Sequence, residues 1–209
     1  HFRNDYRLYL LILIVSSGFV FMSEARTKAW ENDEILVLTD YQHSKSIRSY
    51  KAFIQYETSI SDQKIAHHQT AYQACMEGLD KFPTDWELWY FRGVIQSTLN
   101  DIEDAKFAYE KSIEYKSENF LALVNYGNLL TKDEPEKAIE LYKKAVLVKD
   151  DNAIIYGNLA LLLHQKGKLT EAKEYYEKSL IINPNNSQVK RAYDMLRETL
   201  KENPEVEIK

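Results

Sequence analysis

Residues 153–186 read AIIYGNLALLLHQKGKLTEAKEYYEKSLIINPNN, and two stretches upstream repeat their pattern in phase. Residues 86–119 read WELWYFRGVIQSTLNDIEDAKFAYEKSIEYKSEN, and residues 120–152 read FLALVNYGNLLTKDEPEKAIELYKKAVLVKDDN. A large residue stands at the fourth position of each (Trp89, Leu123, Tyr156) and a small one at the eighth (Gly93, Gly127, Ala160). An alanine opens each second half (Ala105, Ala138, Ala172), a tyrosine follows four later (Tyr109, Tyr142, Tyr176), and a small residue three after that (Ser112, Ala145, Ser179). Small and large residues at fixed offsets let two antiparallel helices approach closely, one taking the other's bulk as a knob enters a hole. A helical glycine costs about 1 kcal/mol against alanine, so close packing is the reason to use Gly93 and Gly127. Asn100-Asp101, Asp133-Glu134-Pro135 and Lys166-Gly167-Lys168 break the pattern in mid-repeat, and Pro184-Asn185-Asn186 ends the last one. The reading is a series of helical hairpins.

On these residues the chain resembles tetratricopeptide repeat (TPR) proteins. Tyr156, Leu159, Ala160, Ala172, Tyr176 and Pro184 lie on that pattern. Gln96 departs from it, where a large apolar residue is usual, as do Ser117 and Asp150, where proline is usual, and the middle repeat lacks one turn residue. The resemblance implies an all-α, right-handed TPR α-solenoid. Its parts are a degenerate repeat over 46–85, repeats over 86–119, 120–152 and 153–186, and a capping helix with a tail over 187–209. In the cap, Val189, Ala192, Tyr193, Leu196 and Leu200 form one apolar stripe. The resemblance also implies a concave groove lined by the first helices, which binds a protein or an extended peptide. The side chains expected to do so are Tyr90, Phe91, Asn125, Asn128, Asn158 and Gln165. An amide donates and accepts at once and so suits a peptide backbone, while Tyr90 and Phe91 offer rings for stacking. The carboxylate clamp that some TPR proteins use for acidic chain ends needs a lysine where this chain has Val124. Asn128 and Asn158 fit that pattern, but an acidic C-terminus is not the expected ligand.

Composition agrees with a helical array. Six glycines and four prolines in 209 residues leave few turn formers for a sandwich or barrel. The net charge of −5 lacks the basic footprint of a nucleic-acid binder. The single cysteine, Cys75, excludes an internal disulfide or a cysteine-cluster zinc site and is expected to be a buried, inert thiol. His67-His68 point about 100° apart on a helix, with no carboxylate three or four residues on, so the pair reads as a solvated face rather than a metal site. No phosphate-binding glycine loop, dinucleotide motif or nucleophile elbow is present. The expectation is a chain with no catalytic residues, no cofactor and no metal. Asn185-Asn186-Ser187 is a glycosylation sequon that matters only in a eukaryotic secretory compartment.

The first 25 residues differ in kind. LYLLILIVSSGFVFMS, between Arg7 and Glu24, carries no charge. As a helix it spans about 24 Å, somewhat short of a bilayer core. It reads as a membrane-spanning helix, as a cleaved signal peptide ending near Ser23-Glu24-Ala25, or as a buried core helix. Because the chain opens on His1 rather than Met, the spanning helix is the expectation, and the alternative is a secreted or periplasmic adaptor whose leader is removed. Residues 26–45 (RTKAWENDEILVLTDYQHSK) form a junction expected to be helical. Arg26, Trp30, Asn32, Asp33 and Leu36, then Ser46-Ile47-Arg48-Ser49-Tyr50, are similar to the junction in multi-span membrane proteins of the protein O-mannosyltransferase type that carry C-terminal TPRs. That resemblance implies repeats on the extracytoplasmic side of a membrane, with any catalytic residues upstream of His1.

Overall fold

The structure is a computed structural model that describes residues 33–59 and 65–202. The apolar segment 1–25, the start of the junction and the tail after 202 lie outside the described residues, so the expected spanning helix does too. Among the described residues there are ten helices and no strand, and no helix is long and apolar enough to cross a membrane. The chain divides into two compact units, one ending at Phe82 and one beginning at Pro83.

The first unit holds α1 (Asp33–Ser44), α2 (Ile47–Ser59) and α3 (Ile65–Lys81). Its core is Tyr50, Phe53, Ile54, Ala71, Ala74, Cys75 and Leu79. The Tyr41 ring stacks on Phe53 at 4.0 Å, and Lys45 lies over Tyr41 while pairing with Glu77 at 3.0 Å. His67 corrects the sequence reading. Its Nδ1 is 2.9 Å from the buried carboxylate of Glu57, which sits on α2 and not on the helix of His67. Spacing of three or four residues describes neighbours on one helix, whereas this partner stands on the facing one.

The second unit is built from three hairpins and a final helix. They are α4 (Trp86–Thr98) with α5 (Ile102–Tyr115), α6 (Phe120–Leu130) with α7 (Pro135–Val148), and α8 (Ala153–Gln165) with α9 (Leu169–Ile182). The last helix, α10 (Ser187–Glu202), packs on α8 and α9 through Val189, Leu196 and Leu200. Side chains start most of these helices. Asp85 accepts from the amides of Glu87 and Leu88, Asn119 from Ala122, and Asn152 from Ile154 and Ile155, which satisfies donors that the helix leaves open. The shortened middle repeat has no such cap at α7. It starts that helix with Pro135, whose missing N–H needs no partner there. The turn after α8 needs a left-handed residue, supplied by Gly167 at φ 73°.

The repeat's small-and-large code is visible as contacts. A Cβ added to Gly93 would lie 2.6 Å from the ring of Tyr109, and one added to Gly127 would lie 2.7 Å from the ring of Tyr142. The second helix therefore lays its tyrosine directly on the backbone of the first. Tyr109, Tyr126, Tyr142 and Tyr176 are all buried. The departure at Gln96 also has a cause. Its side chain is buried and donates to Asp101, the residue that caps α5. A polar residue at that core position fastens the turn between α4 and α5.

Candidate functional site

The first helices of the second unit, α4, α6 and α8, carry the residues singled out from the sequence. Near the first repeat, Tyr90 is half-buried and its ring lies 5.7 Å from that of Phe91. The Asn125 amide donates to the Tyr90 hydroxyl at 3.3 Å, tying α6 to α4. Burial pushes the Tyr90 phenol above its ordinary range, and the Asn125 bond opposes that shift. Between the second and third repeats the arrangement is more open. The Tyr142 hydroxyl, reaching up from α7, donates to Asn128 Oδ1 at 2.7 Å, and Asn158 on α8 lies at the same hydroxyl. Burial pushes Tyr142 up to about 12, so this phenol keeps its proton and acts as a donor at any physiological pH.

These groups line a pocket of about 410 Å³ formed by Asn128, Thr131, Lys132, Tyr142, Asn158, Leu161, Leu162 and Gln165. Asn128, Thr131, Lys132, Leu161 and Gln165 are exposed, while Tyr142 and Leu162 form its floor. The structure thus brings Asn128, Asn158 and Gln165 together and sets Tyr90, Phe91 and Asn125 apart from them. Tyr142 and Leu162 were missed as site residues. Tyr142 occupies the repeat's core position, and nothing in the spacing says that its polar tip emerges into the groove while its ring stays inside. In the third repeat His164 is half-buried, with Nδ1 3.5 Å from the Tyr176 hydroxyl.

Chemically, the pocket offers fixed amides and an aliphatic wall. Asn128 Oδ1 is engaged by a buried phenol, so the carboxamide is held in one orientation. Leu161 and Leu162 supply apolar surface beside it. One charged side chain, Lys132, lines the pocket. Among the described residues no group of three or more His, Cys, Asp or Glu is placed to hold a metal.

Comparison with known proteins agrees with the architecture. Two family models match, both described as tetratricopeptide repeat, over residues 153–186 and 87–119. The TPR repeat-containing protein PA4667 of Pseudomonas aeruginosa is 28% identical over 114 residues, which cover 54% of this chain and 19% of that protein. The chain thus spans about a fifth of that relative's length. Among solved structures, that of MamA superposes with a TM-score of 0.65 at 20% identity, covering 77% of this chain and 85% of the other. YrrB, described as a TPR protein with an unusual peptide-binding site, superposes with a TM-score of 0.68 at 15% identity, covering 80% of this chain and 84% of the other. The expected likeness of the junction to O-mannosyltransferase-type proteins is not shown by these comparisons, and its residues lie partly outside those described. Hairpins in phase, tyrosines seated on glycine backbone and two matching family models lead to one conclusion: residues 87–119 and 153–186 are tetratricopeptide repeats.

Proposed function

We propose that the second unit binds an extended segment of a protein partner along the face made by α4, α6 and α8. The observation that carries this is the pocket of about 410 Å³, where Asn128 and Asn158 meet at the Tyr142 hydroxyl beside Leu161 and Leu162. Oriented amides suit a peptide backbone, and the aliphatic wall suits one apolar side chain of the guest. The peptide-binding site named for YrrB, a protein of the same fold, supports the reading. With Val124 where a clamp lysine would stand, the preferred guest is an internal segment rather than an acidic chain end. The role is recruitment, and the chemistry, where there is any, belongs to the recruited partner.

The test is a screen of fluorescent peptides by anisotropy, followed by Asn128→Ala combined with Asn158→Ala. Each lost hydrogen bond is worth about 1 kcal/mol, so captured peptides weaken roughly 5- to 30-fold. Capture that is unchanged in this variant places the guest elsewhere and refutes the reading. The charge-free run 8–23 supports a second element of the proposal, that the repeats are tethered to a membrane through it. Release of the full chain from membranes by alkaline washing refutes the tether.

A further inference from the structure

Apart from Phe107, Leu161 and Met195, the large apolar side chains left exposed in residues 83–202 gather at one end of the hairpins. The Ser112 hydroxyl bonds the Trp86 carbonyl at 2.8 Å, and the Ser179 hydroxyl bonds the Ala153 carbonyl at 2.7 Å. The end of each second helix therefore lies beside the start of the first helix of its own repeat. On that end of the hairpins stand Leu121 (53% exposed), Leu147 (86%), Val148 (40%), Ile154 (65%), Ile181 (79%) and Ile182 (41%), and Tyr115 (40%) extends the row. The opposite end, at 99–101, 131–134 and 166–168, carries no exposed large apolar side chain. The repeat thus has one aliphatic rim and one polar rim; the aliphatic one takes Leu121 and Ile154 from the starts of α6 and α8, the helices that also carry the groove, and its other members from the ends of α5, α7 and α9.

The size of the rim says what kind of surface covers it. Taking a large apolar side chain at roughly 150 Å², the row leaves on the order of 600 Å² exposed, at the upper end of what monomers tolerate. With its polar surroundings it reaches the ~800 Å² per partner of an ordinary stable interface. Its charges suit a second copy. The middle repeat carries Lys149-Asp150-Asp151 beside Leu147 and Val148. Within one chain Lys149 approaches Asp151 only at 3.7 Å, with both side chains more than half exposed. In a two-fold contact the middle repeat faces itself, so Lys149 of one copy meets Asp150 and Asp151 of the other. The first repeat, with Lys116, then faces Asn183-Pro184-Asn185 of the third, which carries no charge.

We propose that this rim is the isologous contact of a homodimer, with Leu147 near the two-fold axis. The proposal does not depend on the groove. The full chain, weighed by light scattering across a concentration series, has twice the monomer mass. Leu147→Glu combined with Ile181→Glu raises the dissociation constant roughly 100-fold or more, because each dimer loses both side chains twice. Circular dichroism stays unchanged, since both positions are exposed. Asn128→Ala remains dimeric. Leu147→Cys gives an oxidised dimer, whereas Thr131→Cys on the polar rim and the wild-type chain with its buried Cys75 do not. A wild-type monomer at all concentrations overturns the proposal, as does a dimer that survives the double glutamate variant. Phosphatidylcholine vesicles are the third arm. A monomeric chain whose vesicle binding is lost in the double glutamate variant assigns the rim to a lipid surface and overturns the dimer.

Discussion

Gly127→Ala isolates the packing device on which the hairpins rest. The added methyl would sit 2.7 Å from Cε1, 3.0 Å from Cδ1 and 3.3 Å from Cζ of Tyr142. Carbon atoms prefer about 3.5–4.0 Å, so the overlap approaches an ångström and falls on a ring face rather than on a flexible tip. Tyr142 is 1% exposed, and its hydroxyl is committed to Asn128 on the helix that carries Gly127. The ring cannot yield without stretching that bond. Overpacking of this kind costs about 1–3 kcal/mol, whereas replacing a helical glycine returns about 1 kcal/mol. The net loss is up to about 2 kcal/mol, read as a fall of up to a few degrees in the melting temperature. Gly167→Ala is the control. It has open space around it, so any loss there comes from φ 73° alone and leaves the groove untouched. Pairing Gly127→Ala with Tyr142→Leu should recover part of the loss in a double-mutant cycle. A Gly127→Ala protein more stable than the wild type refutes the claim that the ring rests on that backbone.

Two further outcomes follow from the same contacts. Burial raises Tyr109, Tyr126, Tyr142 and Tyr176 to about 12, against about 10 in the unfolded chain, so their contribution is intact below pH ~10 and is lost as pH climbs toward ~12. Tyrosinate absorbance should then rise together with the loss of helical circular dichroism, and ionisation of these phenols with the helices intact would contradict their burial. Glu110 accepts from the Tyr126 hydroxyl at 2.6 Å and from Lys137 at 2.7 Å, the latter being the main cause of its lowered pKa. Glu110→Ala should cost about 1 kcal/mol in urea unfolding, and Glu110→Gln, which keeps an acceptor, should cost less.

What could be read in advance was whatever repeats. Gly93 and Gly127 announced a close approach because glycine is expensive in a helix, and the tyrosines that cover them followed at a fixed offset. The groove amides were legible as positions, since Asn125, Asn128 and Asn158 fall on the first helices. Their hydrogen bonds were not. Asn125 turned to Tyr90 across to the neighbouring repeat, and Asn128 to Tyr142 across its own hairpin. Such choices depend on where a phenol emerges, which periodicity does not encode. The Glu57–His67 pair escaped for a related reason, because helix spacing describes neighbours on one helix and the bond crosses between two.

The aliphatic rim was equally invisible, and the cause is instructive. Leu147, Val148, Ile181 and Ile182 sit at the ends of helices whose other apolar residues are core, and in the sequence they continue those helices' apolar pattern. Only the antiparallel return of each hairpin shows that the second helix has run past its neighbour by that point, so that its last apolar residues meet no partner. Leu147 and Ile181, the most exposed of them, would each lower the free energy by roughly 1–2.5 kcal/mol if fully buried, and Val148 and Ile182 by about half as much. Spacing by one repeat then aligns these unburied ends into a row, whereas the polar turns at the other end never present one. A solenoid built from a single hairpin pattern thus acquires two separate surfaces: a groove set by which residues face between first helices, and a rim set by how far the second helices overrun. Substitutions at one should leave the other intact. Loss of peptide capture in the Leu147→Glu, Ile181→Glu protein would show that the two are not independent.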